Sequence, residues 1–290
     1  MLSEELIKKV KFIEITTRRR VESFMSGRFK SHFKGHGMQF SEHRIYVPGD
    51  DVRHMDWRVT ARSREPLIKK FEEERELTVL LLVDVSASKN FGSNEKLKSE
   101  IAAEIGGMLT YAATRTGDKV GVLLFSEDIE KIIPPKKGRA HILRVIRDLL
   151  TFEPQKKKTD LAKALEAAFH IMKHSGVIFI ISDFMTSGYE LFLKKLSLKH
   201  DVIAIVIEDQ REKQMPELGR LCVFNPEIGQ ENLVDTGSYV FKEWFKEYQL
   251  NFEKEKAHIF KSKKMEYLKV LTHEDYGNAV VKFFRTRKRY

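Results

Sequence analysis

The sequence predicts an α/β fold built on a doubly wound, mostly parallel sheet, and three observations support this. Leu77-Thr78-Val79-Leu80-Leu81-Leu82-Val83 is an unbroken apolar run, as expected of a parallel strand covered on both faces. From there to Phe224, short apolar runs alternate with helix-length amphipathic segments, the pattern of a parallel sheet with crossover helices. The 290 residues are 42% hydrophobic, enough for a sizeable core and too much for a disordered chain.

Residues 3–26 read as an amphipathic helix, with Ser3 as its cap and Leu6, Val10 and Ile13 at helical spacing. Residues 27–66 have weak periodicity and turn signals in Gly35-His36-Gly37 and Val47-Pro48-Gly49-Asp50, so they read as long loops and short strands packed on the domain. After the Leu77–Val83 strand, Asn94 to Thr116 is a long helix ended by Gly117. Lys119–Phe125 is a second strand, with Ile129–Ile133 beside it as a hairpin. His141–Leu150 and Asp160–Lys173 are helices, Val177–Ile181 and Val202–Ile207 buried strands, and Leu221–Phe224 an edge strand. Beyond Asp235 the pattern is helical, and Phe241, Trp244, Phe245, Tyr248 and Phe252 form a stripe suited to core packing. Three regions follow: a loop-rich N-terminal elaboration over 1–76, the α/β domain over 77–235, and C-terminal helices over 236–290.

Composition removes several classes. Cys222 is the one cysteine, which excludes a disulfide framework and a thiolate-rich zinc site and suits a reducing cytoplasm. The longest apolar runs are too short to cross a bilayer, and Met1-Leu2-Ser3-Glu4-Glu5 does not open a signal peptide. The net charge is +10; residues 1–36 contribute +5 and residues 240–290 contribute +6, around a nearly neutral middle. Nucleic-acid or acidic-surface binding would therefore be peripheral to the core domain, and a solvated helix face is the simpler use of these charges.

Chemistry concentrates at Asp84-Val85-Ser86-Ala87-Ser88, directly after the first strand. Ligands of open α/β sheets bind at the carboxyl ends of strands. Alternate residues of a turn there can converge one carboxylate and two hydroxyls, an oxygen set suited to a hard divalent cation. Asp183, after the strand Val177–Ile181, adds a second carboxylate at the same sheet edge, and Thr159 a third hydroxyl. Lys89 follows the motif, and Lys156, Lys157 and Lys158 run up to Thr159; their ammonium groups repel a cation unless they point outward.

Together with Gly117-Asp118-Lys119-Val120-Gly121, Thr159-Asp160-Leu161 and Ser182-Asp183, this constellation resembles the metal-ion-dependent adhesion site of von Willebrand factor type A domains. The resemblance implies direct coordination by Ser86, Ser88 and Thr159, with Asp84 and Asp183 acting mostly through water. It leaves one position for a partner's carboxylate. Magnesium is the first expectation for the ion, with manganese or calcium as alternatives.

The preceding segment is similar to the bacterial "domain of unknown function 58" family. The residues that carry this are Gly35-His36-Gly37-Met38-Gln39-Phe40, Arg44-Ile45-Tyr46-Val47-Pro48-Gly49-Asp50-Asp51-Val52-Arg53 and Asp56-Trp57-Arg58-Val59-Thr60-Ala61-Arg62. That resemblance implies a non-enzymatic partner of a MoxR-type AAA+ ATPase, engaged in chaperone-like assembly or metal insertion, and here of the cytoplasmic kind without membrane segments. Arg44, Asp50, Arg53, Asp56 and Arg62 suit a salt-bridge network locking these loops to the domain. His32, His36, His43 and His54 are irregularly spaced, unlike zinc ligands.

An enzymatic alternative is a phosphatase with Asp84 as nucleophile. Such chemistry needs a general acid two residues on, and Ser86 cannot serve at neutral pH. Gly-rich phosphate loops and Ser/His/Asp signatures are absent as well. The expected function is a metal-dependent protein-binding module.

Overall fold

The computed structural model describes residues 35–287 apart from 64, 76, 93–95, 215, 226–228 and 263–264; for 35–41, 70–75, 90 and 225 it describes the backbone only. The helix expected over 3–26 lies outside the described residues, as does His32.

The first elements make a long antiparallel hairpin rather than loops with short strands. Strand β1 (Gly35–Ile45) pairs with β2 (Leu67–Arg75), and helix α1 (Trp57–Ser63) lies between them in sequence. The charged residues here pair locally. Arg44 grips Asp50 in a two-pronged contact of 2.6 and 2.7 Å, Arg53 reaches Asp51 at 2.8 Å, and Asp56 faces His43 at 3.0 Å and Lys69 at 3.4 Å. These pairs brace the hairpin and its turn internally, where the sequence suggested a lock against the domain.

The main sheet has the order β10-β7-β6-β3-β4-β5. Its strands are β3 (Thr78–Asp84), β4 (Lys119–Phe125), β5 (Ile129–Lys136), β6 (Val177–Ser182), β7 (Asp201–Glu208) and β10 (Glu266–Leu271). All neighbours are parallel except β5, which returns antiparallel on β4. The helices are α2 (Lys98–Arg115), α3 (Arg139–Thr151), α4 (Leu161–Ile171), α5 (Glu190–Ser197), α6 (Gln210–Lys213), α7 (Tyr239–Ser262) and α8 (Tyr276–Thr286). Gly117, at a φ of 86°, supplies the left-handed turn that takes the chain from α2 back into β4.

The apolar run of β3 explains the two-sided cover. Side chains alternate across a strand. Val79, Leu81 and Val83 join the core under α2, α3 and α8, with Ile101, Ile105, Val145, Leu149, Val280 and Phe284. Leu80 and Leu82 join the opposite core under α4, α5 and α7, with Leu161, Leu165, Leu193, Leu196 and Phe260. Each fully buried leucine on this strand contributes about 2 kcal/mol of apolar transfer.

Two expectations about the edge change. Leu221–Phe224 does form a strand, β8 (Arg220–Asn225), but it pairs with β9 (Gln230–Asp235) in a separate hairpin. The edge of the main sheet is instead β10, parallel to β7 and inside the region read as purely helical. Residues 236–290 thus supply a strand and the α8 cover of the domain core as well as a long helix. The aromatic stripe of α7 is not core: Phe241, Phe245 and Phe252 are half-buried, Trp244 is 57% and Tyr248 47% exposed and stacked on one another, and the buried aromatic of the helix is Phe260, two turns beyond the stripe. Among the described residues, no helix is long and apolar enough to cross a membrane.

Candidate functional site at the switch point of the sheet

Chain order reverses at β3. The chain goes from β3 to β4 on one side, and later returns to pair β6 on the other. Crevices beyond the carboxyl ends of strands at such a point are where open α/β sheets bind ligands. Asp84 is the last residue of β3, and Asp183 follows the last residue of β6, so both carboxylates stand there.

Local hydrogen bonds fix them. Asp84 accepts from the Ser86 N–H at 3.0 Å and from the Ser182 hydroxyl at 2.7 Å. The Ser86 and Ser88 hydroxyls lie 3.1 Å apart, and Ser88 Oγ donates to Asp183 Oδ2 at 3.3 Å. Asp183 also accepts from the Met185 N–H at 3.2 Å. Phe184, between them, has a φ of 60°, a left-handed conformation that costs a bulky residue about 1–2 kcal/mol. Its ring is buried in the core against Tyr189 and Phe260. Four of the five expected site residues are therefore tied together. Thr159 stands on the adjoining loop, where its carbonyl accepts from Thr186 Oγ1 at 3.4 Å. That loop reaches the motif through the Ala87 N–H, which donates to the Lys157 carbonyl at 3.0 Å.

The lysines divide into two groups. Lys156, Lys157 and Lys158 are exposed. Lys89 turns inward: it is 2% exposed, and its Nζ sits 2.6 Å from Asp183 Oδ2 and 3.2 Å from Asp84 Oδ2. Both contacts are buried ion pairs. Burial alone would push this ammonium's pKa down; the charges of Asp183 and Asp84 overcome that and hold it above its ordinary value. Lys98, the first residue of α2 and fully buried, places a second ammonium 3.5 Å from Asp183 and pairs with Glu212. Burial would raise the Asp183 pKa, but Lys89 and Lys98 hold it well below the carboxylate range.

The donor set does not fit a divalent ion in this arrangement. Both carboxylates already face an ammonium lying between them, and the third acid of the cluster, Glu212, is taken up by Lys98. Among the described residues, no cluster of three or more His, Cys, Asp or Glu side chains is placed to hold a metal. At an effective dielectric near 20, a divalent ion about 4 Å from one ammonium is repelled by about 8 kcal/mol, twice the unit-charge figure.

Lys98 and Glu212 were not foreseen. Lys98 lies in an amphipathic helix pattern where a lysine signals solvent, and only the fold carries it beneath Asp183. A second ionic cluster flanks the site. Glu208, at the end of β7, lies 2.6 Å from Lys256, 2.6 Å from Lys213 and 2.9 Å from Lys269. Burial raises its pKa, but the three ammonium groups reverse this and lower it to about 2. A small cleft, of about 20 Å³, lies between the two clusters, lined by Asp183, Met185, Glu208, Glu212, Lys213 and Phe252.

Comparison with known proteins places these features in a family. Uncharacterized protein Rv1480 of Mycobacterium tuberculosis is 30% identical over 228 residues, which cover 78% of this chain and 72% of the relative. Among solved structures, BatB from Bacteroides thetaiotaomicron is similar at a TM-score of 0.48 and 16% identity, over 71% of this chain and 96% of its own. The VWA domain of SpRpn10 is similar at a TM-score of 0.43 and 9% identity, over 71% and 94%. The family model described as "Protein of unknown function DUF58" matches residues 42–255, and the chain belongs to that family.

Proposed function

We propose that this chain is a non-enzymatic protein-binding module working in the cytoplasm. Its contact surface is the set of loops at the carboxyl edge of the sheet, and its partner is a MoxR-type AAA+ ATPase or a client of one. The observation that carries the reading is the convergence of Asp84, Ser86, Ser88 and Asp183 at the switch point. Ser86 stands where a phosphatase would need its general acid, so the cluster is built to hold a shape and a charge pattern rather than to turn over substrate. Around it, Phe91 and Met185 are exposed apolar groups and Lys156, Lys157 and Lys158 an exposed basic rim, a surface suited to an acidic partner. The choice of ATPase rests on the family resemblance of residues 35–62.

The test is a pull-down of a MoxR-type ATPase on immobilised wild-type chain, with Asp84→Ala and the surface variant Lys157→Glu alongside, each checked for folding by circular dichroism. Retention by the wild type, and its loss in both folded variants, supports the module. Unchanged retention in both variants refutes the assigned edge. A retained fraction that is nucleic acid and falls away steeply with salt would instead favour binding through the basic termini.

A further inference from the structure

We propose that Lys89 Nζ stands in the position a divalent ion would take, so that this site is completed by an internal ammonium and works without metal. The proposal deepens the binding-module reading and takes its functional weight from it.

The backbone directs Lys89 there. Residues Ala87–Asn90 form a single 3-10 turn, closed by the Lys89 N–H donating to the Ser86 carbonyl at 3.1 Å. Immediately beyond Ser88, this turn sends the Lys89 stem into the protein rather than along its surface. The ammonium then bridges the carboxylates at the ends of two neighbouring strands, Asp84 on β3 and Asp183 after β6. Bridging two carboxylates from adjacent strand ends is the task of a cation at such an edge.

The surroundings are adjusted to this cation. Lys98 approaches Asp183 from the helix side and is itself answered by Glu212. Two aspartates and one glutamate thus face two lysines, so the cluster has little charge left to attract a divalent ion. The serine hydroxyls are also engaged within the cluster, Ser86 with Ser88 and Ser88 with Asp183. A rival arrangement, in which Lys89 swings outward as an ion arrives, makes the opposite prediction for binding.

Mn²⁺ alone is the probe, titrated into chelator-treated full-length protein and followed by electron paramagnetic resonance and water-proton relaxation. The wild type should show no saturable site tighter than about 1 mM, the weak end of protein divalent sites. Lys89→Met, similar in length and uncharged, should acquire one Mn²⁺ per chain at least about tenfold more tightly, and Asp183→Asn added to it should abolish the gain. Lys89→Gln serves as the second neutral variant if the methionine protein does not fold. Wild-type binding of one Mn²⁺ below 1 mM, lost on Asp84→Asn, would overturn the proposal. So would a folded Lys89 variant that gains no site. Because no partner enters these measurements, a failed pull-down leaves the result standing, and a failed titration leaves the binding edge standing.

Discussion

Lys89→Met should be among the most destabilising single changes in this chain even though it keeps the volume of the side chain. In the folded protein the ammonium is 2.6 Å from one carboxylate and 3.2 Å from another, and all three groups are almost fully buried. Removing one partner of a buried ion pair leaves an uncompensated charge, at a cost of about 3–5 kcal/mol. Here two carboxylates lose their shared cation, and Lys98 at 3.5 Å from Asp183 offsets only part of the loss. At about 2–4 °C per kcal/mol for domains of this size, the melting temperature should fall by roughly 6–20 °C. Urea denaturation followed by far-ultraviolet circular dichroism measures the free energy directly. A double-mutant cycle with Asp183→Asn isolates the pair: the second substitution removes the stranded charge, so the double variant should be more stable than additivity predicts by about 1–3 kcal/mol. A loss below about 1 kcal/mol, the value of an exposed surface pair, would refute the buried-cation reasoning, as would simple additivity in the cycle.

Glu208 supplies a dependence on acid. Its pKa is about 2 in the folded protein against an ordinary 4.5, so the stability it contributes is present above pH 4.5 and is lost as pH falls from there toward 2. The amount is about 3 kcal/mol; denaturation midpoints for wild type and Glu208→Gln should converge by that much over this window, and parallel curves would exclude it. At Gly176, just before β6, an added methyl group would run into the Thr78 carbonyl of the neighbouring strand and into Met172. Gly176→Ala should therefore cost about 1–3 kcal/mol as overpacking, read as a lowered melting temperature; a neutral or raised one would show that the strand ends can move apart.

The elements legible in the sequence are those whose burial is complete on both faces. The strands β3, β6 and β7 declare themselves because each holds an unbroken apolar run, Val79 to Val83, Val177 to Ile181 and Val202 to Ile207. Strand β10 did not: at the edge of the sheet it buries only Leu268 and Val270 deeply and alternates them with Tyr267 and Lys269, a pattern too short to separate from a charged helix. The separate β8–β9 hairpin was misplaced for a related reason. Leu221 and Val223 look like edge-strand residues, and nothing local says which sheet they join. At the site, the order Asp84, Ser86, Ser88, Asp183 was readable because each residue sits at a strand end. The inward turn of Lys89 was not, since one lysine after a motif carries no sign of its direction, and its destination depends on Asp183, far away in sequence.

The strand order also has a consequence for how the chain is made. Of the six strands in the sheet, β3 is synthesised first and lies inside; β4 and β5 are then added on one flank, and β6, β7 and β10 on the other. No strand has to be inserted between two that are already paired, so the sheet can grow outward as the ribosome delivers it. At about 5–20 residues per second, β10 begins to emerge some 3–12 s after β7 is complete. During that interval the outer edge of β7, with its row of Ile and Val, has no strand beside it. The segment that closes this edge comes with alternating charge, Glu266 and Lys269 among its apolar residues, and so leaves the finished sheet with a border that discourages further pairing.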